Sequence, residues 1–257
     1  MTPTLSAPRT LRLARWNAVL LRRNTLALSF ATVMPLLPLL LLLGGERGDP
    51  NIGVAAVITT LTMAMLFPVF YNVLSQFVTR RDELVLKRLR TGEARDLELL
   101  VALALPGAAI TLVLGLAAIP LAMAAGQMAP INPIAYLAGI AVAIIMYAAF
   151  AFWTAAWTRN AEAAQLTSAP VILLAVAGQL SVSFPASVQR WTDLTPGAAL
   201  TDVVRVAWFG FEEGGSESVL DFAGSWSQVA SPVLVLIAWA LLAIGLARRS
   251  LRWEPRG

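Results

Sequence analysis

The stretch Arg80-Arg81-Asp82-Glu83-Leu84-Val85-Leu86-Lys87-Arg88-Leu89-Arg90-Thr91-Gly92-Glu93-Ala94-Arg95-Asp96-Leu97-Glu98 decides the fold. It separates two long apolar runs, Ile52–Val78 and Leu99–Ala125, that contain no Asp, Glu, Lys, Arg or His. A helix of about 20 apolar residues crosses a hydrocarbon core about 30 Å thick. Both runs are therefore expected to span a membrane, and the charged island between them to lie in water.

Composition points the same way. The chain of 257 residues is 58% hydrophobic and 13% charged, with a mean hydropathy of +0.73. One soluble core could not hide that much apolar surface. There is no Cys, so no disulfide or thiolate chemistry, and no His, the commonest metal ligand and general base. The net charge of +4 comes from arginines beside apolar runs, which fits a membrane surface rather than nucleic acid.

Uncharged runs predict an all-α polytopic membrane protein of one domain with six transmembrane helices: Thr25–Gly44, Ile52–Val78, Leu99–Ala125, Pro133–Thr158, Ala163–Phe184 and Val229–Ala247. In that arrangement sixteen basic residues fall on one side, and only Arg47, Arg190 and Arg205 on the other. The positive-inside rule then puts both termini in the cytoplasm. The first run is too long for a cleaved signal peptide, starts late, and ends at Gly44-Gly45-Glu46 without a small-x-small cleavage site.

Two flanking segments carry their own pattern. On a helical wheel Leu11, Leu13, Ala14, Ala18, Leu20 and Leu21 share one arc. Arg9, Arg12, Arg15, Arg22 and Arg23 share the other, with Trp16 and Val19 among them. This predicts an amphipathic helix in the cytoplasmic interface, with Trp16 at headgroup level. Between spans five and six, Val203, Val204, Ala207 and Trp208 recur at helical spacing, so short extracellular helices are expected before span six. Trp191, Trp208, Phe209, Phe211 and Trp226 are the residue types of an interface belt.

Chemistry inside the spans is sparse. No span supplies a carboxylate, so proton- or sodium-driven transport is poorly served. Tyr71, Asn72, Ser75 and Gln76 cluster on the second span, and Gln165 and Gln179 lie on the fifth. Such groups are more often interhelical hydrogen bonds than ligand sites; Tyr71, Asn72, Gln76 and Gln179 are the candidates for a substrate path. No catalytic set or metal site is legible. Lys87 lies between Leu86 and Arg88, not in a Gly-Lys-Ser/Thr loop, so no phosphate-cradling nucleotide site of that kind is present. The chain is not expected to be an enzyme.

The island reads as a short helix followed by a break. Glu83 and Lys87 stand at i and i+4 in the favourable order. Val85, Leu86 and Leu89 give an apolar patch, Gly92 suits the residue past a helix end, and Thr91 would cap the next helix with Glu93 in its first turn. An apolar patch ringed by charge is what docking on a soluble partner needs; a purely topogenic loop is the alternative.

Here the chain resembles the type-2 ABC exporter permeases, the membrane subunits of daunorubicin-resistance-like drug and polymer exporters. Leu86-Lys87-Arg88-Leu89-Arg90-Thr91 is similar to that family's Leu-Lys-Arg-Leu-Arg-Thr core between spans two and three. Leu194-Thr195-Pro196 followed by Asp202 and Arg205 resembles its outer Leu-x-Pro and Asp-x-x-Arg segment. Leu84-Val85 and Gly92-Glu93-Ala94 depart from the Gly-Thr and Pro-Leu that often flank the core. The resemblance implies two permease copies, identical or related, and two separate ATP-binding subunits holding ATP and magnesium. Its coupling helix would comprise Glu83, Val85, Leu86, Lys87, Arg88, Leu89, Arg90 and Thr91, acting with an interfacial helix marked by Arg12, Arg15 and Trp16. Eighteen arginines to one lysine hint at a GC-rich bacterial genome, and so at the bacterial cytoplasmic membrane. A passive channel or facilitator is the other reading. The substrate class, drug, antibiotic, peptide or lipid-like, is not written in these residues.

Overall fold

Helix starts are written plainly along this chain. Asp49-Pro50, Asn132-Pro133 and Thr195-Pro196 each place a side-chain acceptor before a proline. In each pair the first residue's oxygen takes a backbone N–H of the following turn, from Asn51, Ala135 and Ala198 respectively. A proline at the first helical position loses only an N–H that had no partner there. Asp221 caps the last helix through the N–H of Gly224, and Asn24 caps through Ala27.

The computed structural model describes residues 6–44, 46–91, 94–180, 185–212 and 219–254. It is 80% helical. We label its helices α1 (Ala7–Arg23), α2 (Thr25–Leu43), α3 (Pro50–Asp82), α4 (Val85–Arg90), α5 (Asp96–Ala124), α6 (Pro133–Ala155), α7 (Ala163–Ala177), α8 (Ala186–Thr192), α9 (Pro196–Ala207) and α10 (Phe222–Ser250). Five of them, α2, α3, α5, α6 and α10, are long and apolar enough to cross a membrane, as expected of a multi-pass membrane protein. The expected fifth span, Ala163–Phe184, is represented by the shorter apolar α7, roughly 22 Å long, with a break at Ser168. Phe184 lies outside the described residues.

The core is built around α3 and α6, two-thirds buried along their apolar windows, whereas less than a third of the corresponding windows of α2 and α10 is buried. Most exposed side chains of α2 are apolar, among them Leu26, Phe30, Leu40 and Leu43, as a lipid-facing helix requires.

Pro68 sits within α3, where the helix widens to a π-turn over Met65–Tyr71. A proline there cannot donate to the carbonyl one turn back. Thr111 of α5 replaces the missing donor, its hydroxyl lying 2.7 Å from the Ala64 oxygen. Gly107, one turn from Thr111, brings α5 against the kink so closely that a Cβ would lie 1.9 Å from the Pro68 oxygen. Small residues and a hydroxyl are what membrane helices use for such close approach.

The segment before α10 departs from expectation. Val203, Val204, Ala207 and Trp208 do form one face of a helix, but α9 is buried almost all round rather than laid on the surface. Trp208, Phe209 and Phe211, expected in an interface belt, are buried core residues. Trp208 meets Tyr136 edge-on at 5.1 Å and donates its indole N–H to the Met128 carbonyl at 2.9 Å. Trp191 and Trp226 remain exposed, as belt residues would. The reason for the difference is packing: glycines at 178 and 197 let α9 meet the end of α7 backbone to backbone, with a Cβ at either position only 2.0 Å from the facing chain. Because the Asn132 N–H bonds the Ala207 oxygen and the Trp239 indole bonds the Leu194 oxygen at 2.8 Å, α9 runs from the level of Asn132 to about 20 Å below it.

Candidate functional site

At the arginine-rich end, α3 stops at Asp82 and Leu84 takes a left-handed conformation with φ of 60°. That is unusual for a branched residue, and it turns the chain into α4. Glu83 is therefore not on α4, and the expected Glu83–Lys87 helical pair does not form. The Lys87 ammonium lies 3.8 Å from Glu254 instead. Leu86 points inward and is 1% exposed, part of the chain's own core. Val85 and Leu89 are half-buried, and Glu83, Lys87, Arg88, Arg90 and Thr91 are exposed. The surface α4 presents is thus basic rather than an apolar patch with a charged rim.

Thr91 also differs from expectation. Its hydroxyl donates to the Arg88 oxygen at 2.8 Å, closing α4 rather than opening the next helix. The expected break at Gly92 and Glu93 lies outside the described residues. The start of α5 is fixed by Glu98 instead, which accepts the Arg95 N–H at 3.2 Å.

Side chains from the tail and from α5 brace α4. Arg90 pairs with Asp96 at 2.7 Å and lies 4.7 Å over the ring of Trp253. Trp253 in turn packs on Phe77 of α3, with ring centres 5.6 Å apart. These groups line an open cleft of about 350 Å³ formed by Lys87, Arg90, Thr91, Asp96, Trp253 and Glu254.

Helix α1 buries Ala14, Asn17 and Leu21, the centre of its predicted apolar arc, against α5. Arg12, Arg15 and Trp16 are exposed. Two contacts fix its angle. The Ser6 N–H donates to Glu98 Oε1 at 2.7 Å, and Asn17 Nδ2 to the Ala102 oxygen at 2.6 Å. Ser6 and Asn17 are about 16 Å apart along α1, while Glu98 and Ala102 are about 6 Å apart along α5. The two axes therefore cross steeply. Arg9 adds a 3.4 Å ion pair to the buried Glu98.

The polar residues of the second span form one hydrogen-bonded ladder. Asn72 Nδ2 donates to the Pro68 oxygen at 3.2 Å, and Gln76 Nε2 to Asn72 Oδ1 at 2.8 Å. Arg80 donates to Gln76 Oε1 at 3.0 Å and to Asn17 Oδ1 at 2.7 Å. Helices α1, α3 and α5 are joined through it. Tyr71, on the same face, is half-buried. Gln179 is not part of this ladder: it bonds the Thr62 hydroxyl. The structure thus brings Tyr71, Asn72 and Gln76 together and leaves Gln179 elsewhere.

Sequence reasoning missed three residues here. Arg81 looked topogenic, yet it is buried and donates to the Ala155 oxygen at 2.8 Å and the Thr158 oxygen at 2.6 Å, satisfying the last carbonyl of α6 and one in the turn beyond it. Asn17, the one amide at the centre of an apolar arc, was a visible signal. Trp253 carried none, because nothing local in the tail marks its contact with Phe77.

No protein-family model and no curated protein sequence matches the chain.

Proposed function

We propose that the chain is the membrane-spanning permease subunit of an ATP-driven ABC exporter, moving a hydrophobic or amphipathic substrate outward on the power of a separate ATP-binding subunit. In this reading it lies in a bacterial cytoplasmic membrane with both termini inside, and α7 belongs to the fifth of six crossings. Two copies stand together.

The observation that carries this reading is α4. A loop that only set topology would need no anchor, whereas α4 is plugged into the core by Leu86 and braced by Trp253 and Asp96. It turns Lys87 and Arg88 outward. A rigid helix of this kind passes a push from a partner directly to α3, and along α3 to the kink at Pro68. Such a push shifts the balance between two packings of the spans. A second copy is supported by exposed Asp193, beside the deep Leu194, since hydrocarbon is a poor neighbour for a carboxylate.

The test is charge reversal on the exposed face, Lys87→Glu with Arg88→Glu, in membranes holding the cognate ATP-binding subunit. Membrane yield should match wild type, because neither side chain is buried. Co-purified ATPase and ATP-dependent efflux from vesicles should fall together. Full retention of partner and transport by the double variant would overturn the coupling role. A passive facilitator is the second reading, favoured by the polar face of α3; substrate flux in vesicles without any ATPase would select it.

A further inference from the structure

The face of α3 carrying Tyr71, Asn72, Ser75, Gln76, Thr79 and Arg80 is half-exposed along about 13 Å of helix. Its buried face is Phe70, Val73, Leu74, Phe77 and Val78, closed off by Arg81. A lipid-facing helix has the opposite arrangement, so this stripe is built to meet something polar.

The ladder says of which sign. Arginine can only donate, and the Pro68 carbonyl can only accept. Both amides between them are therefore fixed in orientation from either end: Gln76 must turn its oxygen to Arg80, and Asn72 its nitrogen to Pro68. The amide oxygens of Asn72, Gln76 and Asn17 are each taken by a donor within the ladder. Each NH2 group keeps one hydrogen unused, and the guanidinium keeps more. Among the described residues Arg80 forms no ion pair. The amides and the guanidinium thus leave only donors free, the hydroxyls of Tyr71, Ser75 and Thr79 can either give or accept, and the stripe is positive at the end two residues short of the α3 terminus.

We infer that this stripe binds the anionic, acceptor-rich head of an amphiphile, a phosphate or carboxylate on an apolar body, with the charge at Arg80 and the remaining acceptors along Gln76 and Asn72. The inference rests on the permease reading only in treating the amphiphile as cargo; the binding itself needs no ATPase. Phosphate or carboxylate oxygens match a two-pronged guanidinium, and an amphiphile keeps its tail in the bilayer while its head occupies the stripe. A membrane phospholipid offers the same chemistry as a transported compound.

The chain has no native Cys, so Ser75→Cys places a single thiol in the stripe. The full-length variant in phosphatidylcholine nanodiscs is treated with a water-soluble maleimide while dodecyl phosphate is titrated. The thiol should label, and dodecyl phosphate should protect it saturably. Dodecyltrimethylammonium should not protect it, which tests the sign of charge without altering Arg80. Adding Arg80→Gln should raise the half-protecting concentration tenfold or more, and Arg80→Lys by less. Protection by phosphatidylglycerol nanodiscs alone supports the same site with a membrane lipid as occupant. A thiol that does not label in the folded protein, or equal protection by the cationic and anionic amphiphiles, would overturn the inference. Either failure leaves the ATPase co-purification test untouched, so the two ideas fail separately.

Discussion

At the arginine-rich end of the bundle, helices are joined by charged and amide side chains. Arg81 closes α6, Glu98 ties α5 to the start of α1, and Asn17 with Arg80 joins three helices. At the opposite end the same work falls mostly to rings and neutral hydrogen bonds. Trp208, Phe209, Phe211 and Tyr136 pack together, and Asn132 donates to the Ser225 hydroxyl at 2.9 Å. The contrast shows that a basic residue beside a span can do two things at once. It sets orientation by its charge, and it supplies donors to a helix end whose last carbonyls have none. Few basic residues stand at the other end, where Arg47 gives one such donor to the Ala124 oxygen at 3.0 Å and most joints are built from apolar area.

The largest expected effect comes from breaking the charged end at its most buried point. Arg81→Met removes the donors to Ala155 and Thr158 and strands their oxygens, at about 1–3 kcal/mol for each buried acceptor. A clear fall in the Tm of the purified protein, with loss of membrane yield, is expected. A Tm equal to wild type would mean that Arg81 acts through topology alone.

At the opposite end Trp208→Phe keeps an aromatic ring but loses the bond to Met128 and part of the buried volume. A cost of about 1–3 kcal/mol follows, smaller than that of Arg81→Met. If Trp208→Phe proves the more damaging, the aromatic end, not the charged one, holds the bundle together.

The smallest effect belongs to the exposed pair. Arg90→Ala gives up a solvent-screened ion pair with Asp96 and a contact over Trp253, worth about 0–1 kcal/mol together at the surface. Thermal unfolding should barely move. A drop comparable to that of Arg81→Met would show that the tail and α4 form a structural joint rather than a surface brace.

How much of this was readable beforehand depends on the range of the interaction. The charges of Lys87 and Arg88, and their exposure, follow from local pattern. Leu86 illustrates the limit: its neighbours give it the look of an outward patch, but the left-handed turn at Leu84 rotates α4 so that Leu86 enters the core. The amide ladder was half legible, since Asn72 and Gln76 are one helical turn apart in any helix. Its continuation through Arg80 to Asn17 needs α1 to fold back across α5.

The sequence by itself determined that this is a helical, multi-pass membrane protein, where its helices begin, and which end carries the basic charge. Those properties depend on residues a few positions apart, because helix periodicity, capping and hydrophobic length are local. Only the tertiary structure decided that α9 is core, that Arg81 and Glu98 are buried joints, and that the donors of α3 are left facing outward. Each of those depends on which helix lies alongside, and close approach at Gly107, Gly178 and Gly197 fixes that through contacts far apart in the chain.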